Sequence, residues 1–163
     1  MADDTDIITR NKSAYHNYFV RDEYEAGVKL VKTEVESLRE RRVNLQEAYA
    51  KFDDDELYLV NAHIPKHSGA GIRNHEPDRS RKLLLRRKQL NRLETKIEQS
   101  GYTLIPLELY FKGDHVKVNL GLCEGKKQHD KRTEIEQREK SRKMAREHAQ
   151  RMDHLEYIYN KNK

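Results

Sequence analysis

Apolar and polar residues alternate in several short stretches of the chain. Each such stretch predicts a strand with one buried face. Ala26, Val28 and Leu30 share one side, with Glu25, Gly27 and Lys29 on the other. Alternation returns over Leu45–Phe52 and again over Glu56–Ile64, where Tyr58, Val60, Ala62 and Ile64 share a face. Asp53-Asp54-Asp55 lies between those runs and reads as the turn of a hairpin. Further on, Ile105, Leu107, Leu109 and Phe111 alternate with Pro106, Glu108 and Tyr110. Gly113-Asp114 makes a tight turn, and Val116, Val118, Leu120 and Leu122 alternate after it. This predicts a second hairpin with one buried face.

Helical spacing is rarer. Thr33–Arg42 carries Val35 and Leu38, with Thr33 placed as an N-cap for Glu36. Leu90, Leu93 and Ile97 mark a helix that ends before Gly101, the residue type expected just past a helix end. Leu83–Leu85 belongs either to that helix or to a short strand before it. Pro65–Pro77, with Gly69, Gly71 and Asn74, reads as a long loop. Residues 1–12 are polar and read as disordered. Residues 125–163 contain no glycine or proline after Gly125 and are rich in Glu, Lys, Arg, Gln and Ala. Met144, Met152, Leu155 and Tyr159 give that stretch only a thin apolar face. The expectation is a tail disordered in isolation and helical on a partner. Residues 13–124, with five or six short strands and two or three short helices, predict a mainly β domain. A small, closed, antiparallel barrel of the OB type is the leading architecture.

Charge changes the picture from a fold to a partner. The chain has 163 residues, 37% of them charged and 35% hydrophobic, with a net charge of +5. Residues 125–163 hold 12 basic and 7 acidic residues, which is the whole surplus. A basic tail most often meets nucleic acid. The longest aliphatic run is Leu83–Leu85, which excludes a membrane-spanning helix. The acidic start, Met1-Ala2-Asp3-Asp4, does not read as a signal or transit peptide. Cys123 is the single cysteine, so an internal disulfide and a cysteine-based zinc site are both excluded. A reduced, cytoplasmic protein is expected.

Few motifs carry chemistry. Gly121–Lys127 lacks the glycine spacing and the Ser/Thr of a phosphate loop. His63, His67, His75 and Asp78 fit no short metal motif, and Asp53–Glu56 reads as a solvated turn rather than a cation site. Cys123 reads as a small surface-strand residue in preference to a low-pKa thiol. The basic stretch Arg79, Arg81, Lys82, Arg86, Arg87, Lys88 and Arg92 has no acid within it. Cations this dense repel one another, so RNA contact is favoured over a merely solvated face. Lys126, Lys127, Lys131 and Arg132 form a second cluster. His16, Tyr18, Tyr24 and Tyr110 supply either stacking platforms or packing.

These segments, taken in order, resemble the SmpB family, the SsrA-binding proteins of bacteria. The resemblance runs from about Asn11 to Arg132. It is carried by Tyr24-Glu25-Ala26-Gly27, by Thr33-Glu34-Val35-Glu36-Ser37-Leu38-Arg39, and by Val43-Asn44-Leu45 with Tyr49-Ala50. Asn61-Ala62-His63-Ile64, Arg81-Lys82-Leu83-Leu84-Leu85 and Leu107-Glu108-Leu109-Tyr110-Phe111-Lys112 follow. Gly125-Lys126-Lys127-Gln128-His129-Asp130-Lys131-Arg132 closes it. Lys32, Glu36, Glu47-Ala48, Arg86 and Cys123 depart from the family pattern. A glycine is usual at the position of Lys32, so either the backbone there is ordinary or the site is altered.

The resemblance implies an OB-fold protein that binds the tRNA-like domain of transfer-messenger RNA and carries it to stalled ribosomes. It implies no enzymatic activity and no cofactor, and a monomer in a 1:1 complex with the RNA. The implied RNA contacts are Tyr24, Glu25 and Asn44; Arg73, Asn74 and His75 in the long loop; Arg79, Arg81, Lys82, Arg86 and Arg87; then Lys117, Lys126 and Lys127. The implied ribosome contacts lie in the tail, at His129, Asp130, Lys131 and Arg132, then Arg138, Lys140, Arg142, Lys143 and Arg146. There the tail is expected to enter the empty messenger channel as a helix. The alternatives are a general OB-fold RNA-binding protein, whose activity would not need the tail, and a metal-dependent nuclease using the acidic turn.

Overall fold

The computed structural model describes residues 5–126 and 135–149, in two units, Met1–Gly125 and Lys126–Lys163. The first unit is built on seven strands: β1 (Thr5–Arg10), β2 (Tyr18–Val28), β3 (Tyr49–Asp53), β4 (Glu56–Val60), β5 (Arg81–Leu84), β6 (Thr103–Lys112) and β7 (His115–Gly125). Three α-helices lie between them: α1 (Lys12–Asn17), α2 (Lys32–Arg39) and α3 (Arg87–Ser100). A single 3-10 turn, Gly71–Arg73, sits in the long loop. Every pairing is antiparallel, in the order β1-β6-β3-β4-β5-β2-β7, and β7 returns to pair with β6. The sheet therefore closes in a ring. Closure satisfies backbone groups that an open sheet would leave at its edges. β1 continues the side of β6 that β3 leaves: Ala50 pairs Leu104 near the start of β6, and Thr5–Arg10 pair Lys112–Glu108 at its end.

The core lies inside the ring. Leu57, Leu59, Leu83, Leu104, Val118, Leu120 and Leu122 point inward, closed over by Leu38 of α2 and by Leu90 and Leu93 of α3. Each such side chain contributes about 1.5–3 kcal/mol by leaving water. Ala14 of α1 covers a second, smaller cluster with Ile105, Leu107 and Cys123.

The strands depart from simple alternation where one residue is inserted. β6 pairs Pro106 with Leu120 and Glu108 with Asn119, so Leu107 is an extra residue, a bulge. A bulge reverses the facing of everything beyond it. Leu104 and Leu109 therefore share the main core while Ile105 and Leu107 face α1. The single face expected for Ile105, Leu107, Leu109 and Phe111 is thus two faces. On β4, Leu57 and Leu59 are buried while Tyr58 and Val60 are only half-buried. Asn61 (φ +63°) then adopts a left-handed conformation, and Ala62 and Ile64 return to the core. The face expected for Tyr58, Val60, Ala62 and Ile64 is broken there.

Other expectations change for local reasons. Residues 5–10 are a strand, not disordered, because β6 offers them a partner and Ile8 is buried in the core. Leu83 and Leu84 lie on a short strand, β5, and Leu85 falls in the link before α3. α2 begins at Lys32, so Val31 and not Thr33 stands at its N-cap, and Glu34 accepts the N–H of Val31 there. Lys32 does not have a positive φ, so the backbone there is ordinary. Gly101 ends α3 with φ +65°, the left-handed end predicted for it. The acidic turn is tighter than expected: Asp53 pairs Glu56, and Asp54 and Asp55 hold φ of +51° and +65°. Those signs are those of a type I′ turn, which suits a two-residue hairpin. Cys123 is fully buried beneath α1, neither a surface residue nor a low-pKa thiol. Burial, and then Glu23, push its thiol up to about 11.

In the second unit, residues 135–149 form a helix, α4, with every residue exposed. Glu136 and Lys140, and Glu139 and Lys143, stand four apart with the acid first, the favourable arrangement. With no apolar packing, a helix of this length is marginal.

Candidate nucleic-acid interface

Strand register places the outward residues in rows. Glu25 of β2 lies opposite Asn119 of β7, which lies opposite Glu108 of β6. The next row is Leu84 of β5, Gly27, Lys117 and Tyr110. Lys82, two residues before Leu84, pairs with Tyr58 of β4. One outer face thus gathers Glu25, Lys82, Leu84, Lys117 and Tyr110. Its middle is kept open by Gly27: a Cβ there would sit 3.3 Å from Leu84 Cβ and 3.7 Å from Lys117 Nζ. Leu84, 51% exposed, lies at the centre of this face.

Glu25 is a fixed acceptor on it. It accepts a hydrogen bond from the Tyr110 hydroxyl at 2.5 Å and from Lys112 Nζ at 3.3 Å. The Tyr110 bond outweighs burial and, with Lys112 and Lys117 nearby, holds the Glu25 carboxyl below the usual carboxylate range. Burial and the facing carboxylate push the Tyr110 hydroxyl well up. Tyr24, beside Glu25 in sequence, points the other way. Its hydroxyl donates to Asp22 at 2.8 Å and accepts from Lys96 of α3 at 3.1 Å.

The basic stretch does not form one surface. Arg81 is completely buried and ion-paired with Glu34, itself completely buried. Arg81 also donates to the carbonyls of Ala62 at 2.7 Å and Pro77 at 2.9 Å. Arg79 reaches the same carboxylate at 2.5 Å from a half-buried position. Arg81 therefore presents no group to a partner. It fastens α2 and the long loop to β5. Burial works to raise the Glu34 carboxyl, but the bonds from Arg79, the Val31 N–H and Arg81 together hold it below its ordinary value.

His75 is buried as well. Its Nε2–H donates to the Ile64 carbonyl at 2.7 Å, and its Nδ1 accepts from the Thr33 hydroxyl at 2.8 Å. Asn74 holds the loop together through both the N–H and the carbonyl of His67. Both ring nitrogens of His75 are thereby occupied, and Asn74 is half-buried. Lys82 and Arg87 are accessible and share Glu56, at 3.8 and 2.8 Å. Asn44, Arg73 and Arg86 are exposed, and Lys126 is half-buried just after β7. On α4, Arg138, Arg142 and Arg146 recur every four residues and fall on one helix face, with Lys140 and Lys143 also exposed. Lys127, His129, Asp130, Lys131 and Arg132 lie outside the described residues.

Leu84 is the residue of this outer face that sequence reasoning passed over. The signal was present: in a strand, the middle residue of Leu83-Leu84-Leu85 must face away from its neighbours.

The sheet closed on an apolar core, with cations and one exposed leucine gathered on its outer face, offers a candidate binding surface. Residues 8–150 match the family model described as "SmpB protein", and the chain belongs to the SmpB family. It is similar to the SsrA-binding protein of Treponema denticola, 47% identical over 86% of this chain and 92% of that protein. The SsrA-binding protein of Limosilactobacillus fermentum is 46% identical over 88% of this chain and 91% of its own length. A solved structure described as "tmRNA-SmpB: a journey to the center of the bacterial ribosome" is 41% identical, with a TM-score of 0.62. It covers 78% of this chain and 93% of that one.

Proposed function

We propose that this protein binds the tRNA-like domain of transfer-messenger RNA (SsrA RNA) and delivers it to stalled ribosomes for trans-translation. The observation that carries the reading is the family match, which runs through the closed sheet and on to residue 150. The names of its relatives, SsrA-binding proteins, agree with it. The closed sheet is an OB-type barrel in this reading, and the protein acts by binding rather than by catalysis.

The division of labour follows from charge and packing. The outer face around Glu25, Lys82, Leu84 and Lys117 grips the folded RNA by shape and backbone, with Leu84 against sugar or base. The tail, with Asp130, Lys131 and Arg132 leading into Arg138, Lys140, Arg142, Lys143 and Arg146, enters the vacant messenger channel. There RNA phosphates supply the stabilisation that an exposed helix lacks.

A gel shift of the full chain on transfer-messenger RNA against an ordinary tRNA tests the first half. Equal affinity for both overturns it. Replacing Asp130, Lys131 and Arg132 together by alanine tests the second. The variant binds the RNA as the parent does and fails to support tagging on stalled ribosomes; tagging that survives the triple change refutes the role of the tail.

A further inference from the structure

α2 ends at Arg39, Glu40 caps it, and the next residue, Arg41, has φ +62°. Glycine is usual at such a position, because a side chain in the left-handed region costs about 1–2 kcal/mol. Here the position is held by an arginine whose guanidinium makes three contacts. Its Nη2 meets Asp6 Oδ2 at 2.6 Å, its Nη1 donates to the Ile7 carbonyl at 3.4 Å, and its guanidinium lies 5.9 Å from the centre of the Phe111 ring. The guanidinium of Arg39 lies 5.5 Å from the same ring. Arg39 pairs with no carboxylate among the described residues, and neither does Asp114, on the turn after β6, with any cation. These groups and Thr5 line a cleft of about 520 Å³.

A free phosphate fits this cleft poorly, since the carboxylates of Asp6 and Asp114 stand beside the two arginines. A neutral, flat group with both donors and acceptors on its edge fits well. We propose that the cleft is a base-binding site for a single unstacked guanine of an RNA. The inference rests on the RNA-binding function proposed above. Guanine alone among the four bases has adjacent donors, N1–H and the N2 amino group, which a carboxylate accepts together. Its O6 and N7 are acceptors of the kind a guanidinium satisfies. Asp114 supplies the carboxylate and Arg39 the free N–H donors. Phe111, with Arg41 over the same ring, holds the Arg39 guanidinium at the cleft to make these bonds. Uracil and adenine each present acceptors to the carboxylate beside their donor, and cytosine presents a single donor group.

The test is a titration of the isotope-labelled full chain with the RNA pentamers UUGUU and UUAUU, followed by NMR. UUGUU is expected to shift the Gly113 and Asp114 amides and the Arg39 side-chain N–H saturably, and to bind at least about fivefold tighter than UUAUU. Asp114→Asn, or Asp114→Ala as a second variant, removes that preference, and Arg39→Ala weakens both pentamers. No saturable shift at these groups, equal affinity for the two pentamers, or a preference that survives both Asp114 changes overturns the proposal. Binding of transfer-messenger RNA by the parent protein is measured alongside. Its absence sinks the functional reading itself, whereas its presence without guanine preference in the cleft sinks only this site.

Discussion

Arg81→Ala separates a structural cation from a binding one. Arg81 shares its partner Glu34 with Arg79, and both members of the Glu34–Arg81 pair are completely buried. Truncation leaves the carboxylate with only the peripheral Arg79 and the Val31 N–H, and it strips a donor from the carbonyls of Ala62 and Pro77. Breaking a buried pair by removing one partner costs about 3–5 kcal/mol. For a domain of this size, that lowers the melting temperature by roughly 10–20 °C. Urea unfolding followed by circular dichroism should show the midpoint falling by about 2 M, with the slope unchanged. RNA affinity, measured at low temperature where the variant is folded, should match the parent, because Arg81 presents nothing to the surface. Arg81→Lys keeps the charge without the forked donors and should fall between. A variant with unchanged stability and weakened RNA binding would refute the structural assignment.

The opposite pattern is expected for Lys82→Ala/Lys117→Ala: unchanged melting, weaker binding, and a log K versus log salt slope flatter by about 0.7–0.9 for each phosphate no longer neutralised. Gly121→Ala should destabilise by about 1–3 kcal/mol in urea unfolding, since its Cβ would lie 2.9 Å from Leu107 Cδ1 and 3.0 Å from Cys123 Sγ; a neutral effect would show that the bulge is loosely packed. The depressed Glu34 carboxyl makes stability pH-dependent in one direction. Its contribution is fully present above the ordinary carboxylate value, about pH 4.3, and is lost as pH falls through the lower folded value. Parent protein should therefore lose melting temperature more steeply in that acid range than Glu34→Gln; parallel curves would remove Glu34 from the account.

Much of this protein was legible along the chain. The Ile105–Phe111 and Val116–Leu122 runs announced a hairpin because strand side chains alternate, and Gly101 announced a helix end because glycine tolerates a positive φ. The ordered motifs carried the family. The tail's charge excess pointed to an anionic partner because charge, unlike packing, is a property of composition. Facing was a different matter. A bulge at Leu107 and a left-handed Asn61 each reverse which side of a strand is buried, and neither leaves a mark in a pattern where both sides are partly apolar. β1 was invisible because its order comes from β6, about a hundred residues away. Among the cations Arg79, Arg81, Lys82 and Arg87, composition treats all alike. Only the packing of α2 against β5 separates them, because a buried carboxylate at Glu34 takes Arg81 out of solvent while Lys82, one residue on, faces out.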